Sequence, residues 1–394
     1  MPRGKFQCLL PGTTLRVALA LTTLLLQPAG AWQAAAADAS PNRSQAKSEA
    51  AEPPVPSLRP VEPTDIAGLT GCDASCGPHE GAACEDCTDP CGCCCGASWL
   101  LSLDAVFLRR SDADDRTLIT DQGQAVELLN VTGLNFDHEL APRISLIRQR
   151  RCANDPCLDC CLDWEITYFG LDSWSSSATP QPLTSAVAIG PGGLALPSSA
   201  PGAPISASYG TDLDSIEFNL RRNVNDCLTL LAGLRWIELG DDLSLDDLSA
   251  QENLYNVDTN NHLYGFQLGA DASIWRCGCR FYLDSFLRAG IYYNRADQST
   301  SVPALTALAP NFIDRISDQD DHTAFVGEVG LRGVYRLTDG LALRGGYQVM
   351  WIEGVALAPD QLPATNMLAP GSAVLDTSGS LFFHGALVGV EATW

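Results

Sequence analysis

Beyond Trp99, apolar and polar residues alternate with a period of two. In one stretch Phe281, Leu283, Leu287, Ala289, Ile291 and Tyr293 alternate with Arg280, Tyr282, Asp284, Phe286 and Arg288. In another, Ile216, Phe218 and Leu220 alternate with Ser215, Glu217, Asn219 and Arg221. A third sets Leu341, Leu343, Tyr347, Val349 and Trp351 against Arg344, Gln348 and Met350. This period marks strands with unlike faces. It predicts ten of them, over 99–109, 134–149, 162–173, 213–223, 228–239, 262–275, 280–293, 323–337, 341–353 and 381–394. The last carries Phe382, His384, Ala386, Val388, Val390, Ala392 and Trp394 on one face.

The connections sharpen this. Those at 110–133, 174–212, 240–261, 294–322 and 354–380 are long, and the intervening ones are short except for 150–161. Long loops on one side and tight turns on the other are the signature of outer-membrane barrels. The expected fold is therefore all-β: an antiparallel up-and-down transmembrane β-barrel of about ten strands, with twelve as the alternative. Both termini would lie in the periplasm. About twelve residues tilted near 45° cross about 25 Å, the height of a barrel's apolar band. Trp99, Trp164, Trp275 and Trp394 fall at periplasmic strand ends, and Trp174, Trp236 and Trp351 at or near outer ends. Trp99, Trp164, Trp236, Trp275, Trp351 and Trp394 are the candidate aromatic girdle, because an amphipathic ring suits the headgroup boundary. A secreted sandwich or soluble barrel is the rival, since alternation alone does not say which face is wet.

Export is read at the N-terminus. Arg3, Lys5 and Arg16 precede the apolar run Val17 to Leu26, and small residues follow. That pattern predicts a signal peptide over 1–31, with a cut after 37 as the alternative. Residues 38–70 are rich in Pro and Ala and read as a disordered linker. A cysteine-rich periplasmic segment, 71–97, precedes the barrel, 98–394. The formal net charge of −23 argues against a nucleic-acid partner. Lys5 and Lys47 are the only lysines among 24 basic residues, which favours arginine in fixed ion pairs.

Apart from Cys8, every cysteine threads to the periplasmic end. Cys72, Cys76, Cys84, Cys87, Cys91, Cys93, Cys94 and Cys95 lie before the first strand. Cys152, Cys157, Cys160 and Cys161 lie in the first turn, Cys227 in the second, and Cys277 and Cys279 in the third. In an oxidising compartment these are disulfide candidates, with connectivity open. Cys84-x-x-Cys87 and Cys157-x-x-Cys160 also have zinc spacing, but disulfides are preferred and no metal is expected.

The inward faces carry the candidate lumen-lining residues Asp137, Glu139, Arg143, Glu165, Glu217, Arg221, Arg235, Arg280, Asp284, Arg288, Glu328, Arg332 and Arg344. Asp104, Asp163, Asp271, Arg336 and Glu391 share that parity. They would line a narrow charged pore or fill a closed lumen with ion pairs; ten strands sit near the filled end of the size range. Three acidic clusters are expected in the outer loops: Asp112, Asp114 and Asp115; Asp241, Asp242, Asp246 and Asp247; Asp318, Asp320 and Asp321. No catalytic motif stands out. His322 beside Asp320 and Asp321 is the nearest to one, and neither an enzyme nor a cofactor is expected.

Four stretches carry a family resemblance: Trp99 to Leu108, Leu231 to Leu239, Asn261 to Gly269 and Leu287 to Asn294. In them the chain resembles the planctomycete β-barrel porin 7 family, over about 99–394. The resemblance implies a porin-like outer-membrane barrel, and no catalytic residues. The expected function is passive passage of small solutes through a narrow charged lumen. The alternative is a closed barrel with a structural, surface-binding or adhesion role through its acidic loops. Outer-membrane lipids are the expected partner. The barrel-assembly machinery is a second, recruited by the terminal strand with its aromatic end, and the oligomeric state is open.

Overall fold

The computed structural model describes residues 95–394, apart from 112–114, 122–125, 153–161, 181–185, 190–193, 198–203, 226, 249–251, 279, 304–314, 363–364 and 367–371. The expected signal peptide, the linker and every cysteine before Cys95 lie outside the described residues, as do Cys157, Cys160, Cys161 and Cys279.

Strand β1 (Cys95–Arg110) is followed by short β2 (Thr117–Asp121) and β3 (Val126–Asn130), then by β4 (Glu139–Cys152) and β5 (Asp163–Ala178). Short β6 (Ala186–Ile189) and β7 (Leu194–Pro197) precede the long β8 (Ile205–Asn225), β9 (Leu228–Asp247), β10 (Glu252–Cys277), β11 (Phe281–Ser301) and β12 (Arg315–Arg336). Strands β13 (Leu341–Val355), β14 (Thr365–Asn366), β15 (Ser372–Ala373) and β16 (Gly379–Thr393) complete the order. Ten strands form one closed antiparallel barrel, in the order β1-β16-β13-β12-β11-β10-β9-β8-β5-β4. The seam pairs β1 with β16 from Leu100 opposite Thr393 to Arg110 opposite Phe383. Trp99 and Trp394 extend it by exchanging backbone hydrogen bonds of 2.9 and 3.0 Å.

All ten expected strands are present. The correction concerns their length. Strand β8 starts at Ile205, β9 runs to Asp247, β11 runs to Ser301 and β12 starts at Arg315. The expected long loop 240–261 is reduced to residues 248–251 between β9 and β10. Asp241, Asp242, Asp246, Asp247, Asp318, Asp320 and Asp321 therefore belong to strands, not loops. Asp115 is exposed before β2, while Asp112 and Asp114 lie outside the described residues.

The extra length has a physical signature. In the lower part of β9, Leu230, Ala232, Leu234 and Trp236 face outward while Arg235 is buried inward. Above Trp236 the sense inverts: Glu238, Asp242, Ser244 and Asp246 face out, and Leu239, Leu243 and Leu245 are fully buried inside. On the outer face the same change falls between Asp214 and Ile216 on β8, between His262 and Tyr264 on β10, and between Tyr293 and Arg295 on β11, where the inward side stays polar at Asn294, Gln298 and Thr300. Below this level the barrel has an apolar outside and a polar inside. Above it, the outside is polar and the core mixes apolar side chains with buried polar groups such as Arg110 and Asp241. The lower belt on β10–β13 is about eleven residues tall, close to 25 Å when tilted.

Two bulges re-aim side chains. Between Leu171 and Trp174 the pairing of β5 with β8 slips by one residue. That slip turns Trp174 from the outward parity into the core, where it stacks on Phe383 at 5.6 Å and meets Phe136 edge-on at 6.1 Å. Its indole N–H donates to the Asp137 carbonyl at 2.7 Å. Trp174 is thus buried rather than at a rim. The second bulge, between Glu353 and Val355, contains Gly354 at φ +79°. A side chain there would be strained and would meet the Thr323 carbonyl at 2.7 Å. The chain turns inward immediately after it.

Candidate functional site

The interior of the belt is the strongest concentration of chemistry in the fold. Arg143 on β4 reaches across to Glu328 on β12 at 2.8 Å and to Gln348 on β13 at 2.8 Å. Glu328 also receives Arg235 of β9 at 3.4 Å. Arg235 lies 3.5 Å from Glu217 of β8, which Arg288 of β11 approaches at 3.5 Å. Arg288 bridges to Glu165 of β5 at 3.0 Å, and Arg221 joins Glu165 to Asp271, the latter at 2.7 Å. Gln267 donates to Glu217 and Asn219, both at 2.8 Å. Nearer the lower end Arg344 holds Asp104 at 3.1 Å and Glu391 at 3.5 Å.

Alternation puts these groups inside, but barrel closure decides who meets whom. Arg143 and Glu328 sit four strands apart around the wall, as do Arg288 and Glu165. Their side chains span the interior, and all four residues are nearly fully buried. Buried charges persist only where each finds counter-charge and hydrogen bonds. Here every carboxylate of the central group touches a guanidinium. Such a network stabilises little relative to an apolar core of equal volume; its main effect is to fix which walls face each other.

Above the network stands a second polar hub. The Asp241 carboxylate accepts from Arg110 at 2.9 Å, Tyr209 at 2.9 Å, Thr211 at 2.6 Å and the Ala358 backbone N–H at 2.9 Å. Arg110 also bonds Tyr209 and Thr211, and its guanidinium lies 4.8 Å over the Phe136 ring. This hub lies above the belt. Burial pushes the Tyr209 phenol well above its usual range, and Asp241 adds to that while Arg110 opposes it.

The chain after Gly354 closes the upper end. Val355 through Leu362 are all buried, with a 3-10 turn at Ala358–Gln361. Asn261 of β10 clasps Ala356 both ways, donating to its carbonyl at 2.9 Å and accepting from its N–H at 2.8 Å. Asn294 of β11 donates to the Gly354 carbonyl at 3.1 Å. Arg116 pairs with Asp360 at 2.8 Å. The segment is an inserted plug, held by the wall it fills.

The expected lumen residues divide accordingly. Arg143, Glu165, Glu217, Arg221, Arg235, Arg288, Glu328 and Arg344 come together in the pairs above. Asp284 and Arg332 are half-buried on the inward parity, with Arg332 4.7 Å over the Phe286 ring. Glu139 is half-buried opposite Leu108. Two placements are corrected. Asp137 is exposed and precedes β4, and Arg280 is exposed in the turn before β11. Of the girdle, Trp99, Trp164, Trp275 and Trp394 stand at the lower edge of the belt and Trp236 and Trp351 at the upper edge. Arg110, Tyr209, Asp241 and Asn261 escape one-dimensional reading, because each has a partner more than 90 residues away. The described histidines face outward or are exposed: His384 bonds Tyr347 at 2.7 Å, His262 lies 3.7 Å from Glu238, and His322 pairs in register with Asn294.

No protein-family model and no curated protein matches the chain. Solved structures do. The outer membrane protease OmpT of Escherichia coli is 10% identical with a TM-score of 0.42, over 76% of this chain and 96% of that one. The toluene transporter TodX of P. putida is 9% identical with a TM-score of 0.25, over 76% and 89%. A FadL homologue of Pseudomonas aeruginosa is 11% identical with a TM-score of 0.26, over 76% and 89%. At these values no activity or substrate passes from them to this chain.

Proposed function

We propose that the protein is an outer-membrane β-barrel closed along its axis, which presents its upper half at the cell surface as a non-enzymatic structural or contact platform. The observation that carries this reading is the cross-barrel bridge Arg143–Glu328–Arg235 at belt level. It occupies the path that a solute would take. The apolar core and the plug Val355–Leu362 stand above it. Membrane residence is supported by the belt itself, where Leu234, Phe266, Leu268, Ile291 and Val388 are each more than half exposed. The resemblance to the β-barrel porin 7 family and porin-like passage of solutes form the competing reading, which needs these bridges to part.

Planar-bilayer conductance separates the two. Folded, heat-modifiable protein is expected to give no channel events. Unitary currents from such a sample would restore the porin-like reading.

A further inference from the structure

The lower edge of the belt is not uniform around the barrel. The register aligns Trp394 just beyond β16, Trp99 on β1, Arg148 on β4 and Trp164 on β5 in one row. Arg148 is directly opposite both Trp99 and Trp164, whose rings meet edge-to-face at 5.4 Å and 83°. Among the described residues Arg148 makes no ion pair, whereas the inward-facing Arg143 of the same strand does. On β8, Leu220 continues the row and Arg222 faces outward one step below it.

On the outward faces of the described strands charge is one-sided. On the described barrel strands every outward-facing carboxylate lies at or above the upper edge of the belt: Asp212, Asp214, Glu238, Asp242, Asp246, Asp258, Asp297, Asp321 and Glu353. At the lower edge the outward charges on these strands are arginines. An arginine flanked in register by tryptophans, at the foot of an apolar wall, matches a phosphodiester with acyl chains above it. The guanidinium supplies paired N–H donors, the indoles sit at headgroup depth, and Leu101, Leu103, Leu146 and Ile166 line the wall.

We propose that the Trp394–Trp99–Arg148–Trp164 row is a binding site for the headgroup phosphate of an anionic glycerophospholipid of the periplasmic leaflet. This rests on the membrane reading above and adds a lipid preference to it. One arginine at an anionic surface corresponds to a preference of about fivefold, about 1 kcal/mol.

The test uses the full chain in phosphatidylcholine vesicles carrying a minority of brominated phosphatidylglycerol or, separately, brominated phosphatidylcholine. Co-flotation with the vesicles is measured first; a protein that stays unbound sinks the membrane reading itself. With bound protein, tryptophan quenching by the brominated anionic lipid is expected to exceed that by the zwitterionic one, corresponding to about fivefold enrichment. Arg148→Gln is expected to abolish the excess and Arg148→Lys to keep part of it, with heat-modifiable mobility confirming that both variants are folded. Equal quenching in the unmodified protein overturns the site. So does an excess that survives Arg148→Gln in folded protein. Loss of the excess on adding inorganic phosphate at constant ionic strength would assign the row to a free anion and overturn the lipid assignment.

Discussion

Arg143 and Glu328 meet at 2.8 Å across the barrel, from strands four places apart around the wall. Glu328 also serves Arg235, so its removal leaves the buried Arg143 without a carboxylate and Arg235 with Glu217 alone. Glu328→Leu is expected to lower folding stability by about 3–5 kcal/mol, the usual cost of breaking a buried pair from one side. Urea titration followed by heat-modifiable mobility measures it. A change below about 1 kcal/mol would show that the belt interior is wet enough to solvate both arginines.

The seam between β1 and β16 depends on glycine. A Cβ on Gly385 would lie 1.8 Å from the Phe107 carbonyl, and that atom belongs to backbone. Gly385→Val is therefore expected to prevent closure or to cost at least about 2 kcal/mol. Gly345→Ala is the control, because its nearest atom is 3.6 Å away. Equal amounts of the compact, unboiled gel form in both variants would contradict this.

Asp242 stands above the belt and faces outward, directly opposite Asp258 and near Asp241 and Asp212. Partial burial, then these carboxylates, raise its pKa above the usual aspartate value. The folded form thus holds the proton more tightly than the unfolded chain. Its contribution is most favourable below the unfolded value and is lost as the pH rises through the folded one. Asp242→Asn is expected to be the more stable form at neutral pH, with the difference vanishing in acid. Denaturation midpoints of both forms across that range check the sign.

Register places Cys95 of β1 directly opposite Cys152 of β4. Opposed residues of an antiparallel pair have Cα atoms about 4.5–5.5 Å apart, inside the disulfide range. A Cys95–Cys152 bond is expected in exported protein. Non-reducing peptide mapping should recover a fragment linking the two. Recovery of both cysteines in other linkages would exclude it.

Much of this architecture is legible in the order of residues. Strands β13 and β16 lie where alternation puts them, and their outward faces are those read from parity alone. The upper barrel is hidden because its alternation carries the opposite sense. Asp241, Asp242, Ser244 and Asp246 interleaved with leucines look like acidic loop unless an apolar interior is already known to lie behind them. Trp174 is hidden for another reason. One inserted residue flips parity, and no composition announces it. The pairings inside the belt are set by ring closure, so Arg143 gives no sign that Glu328 is its partner.

The inversion of faces along single strands also fixes draught, in the sense of a ship. Raising the barrel by two residues would lift Trp236 and Tyr264 into water; lowering it by two would drag Glu238 and Asp214 into hydrocarbon. Because the crossover falls at a similar level on four neighbouring strands, from β8 to β11, the fold carries its own waterline, and tilting the barrel across that arc is opposed as firmly as sinking it.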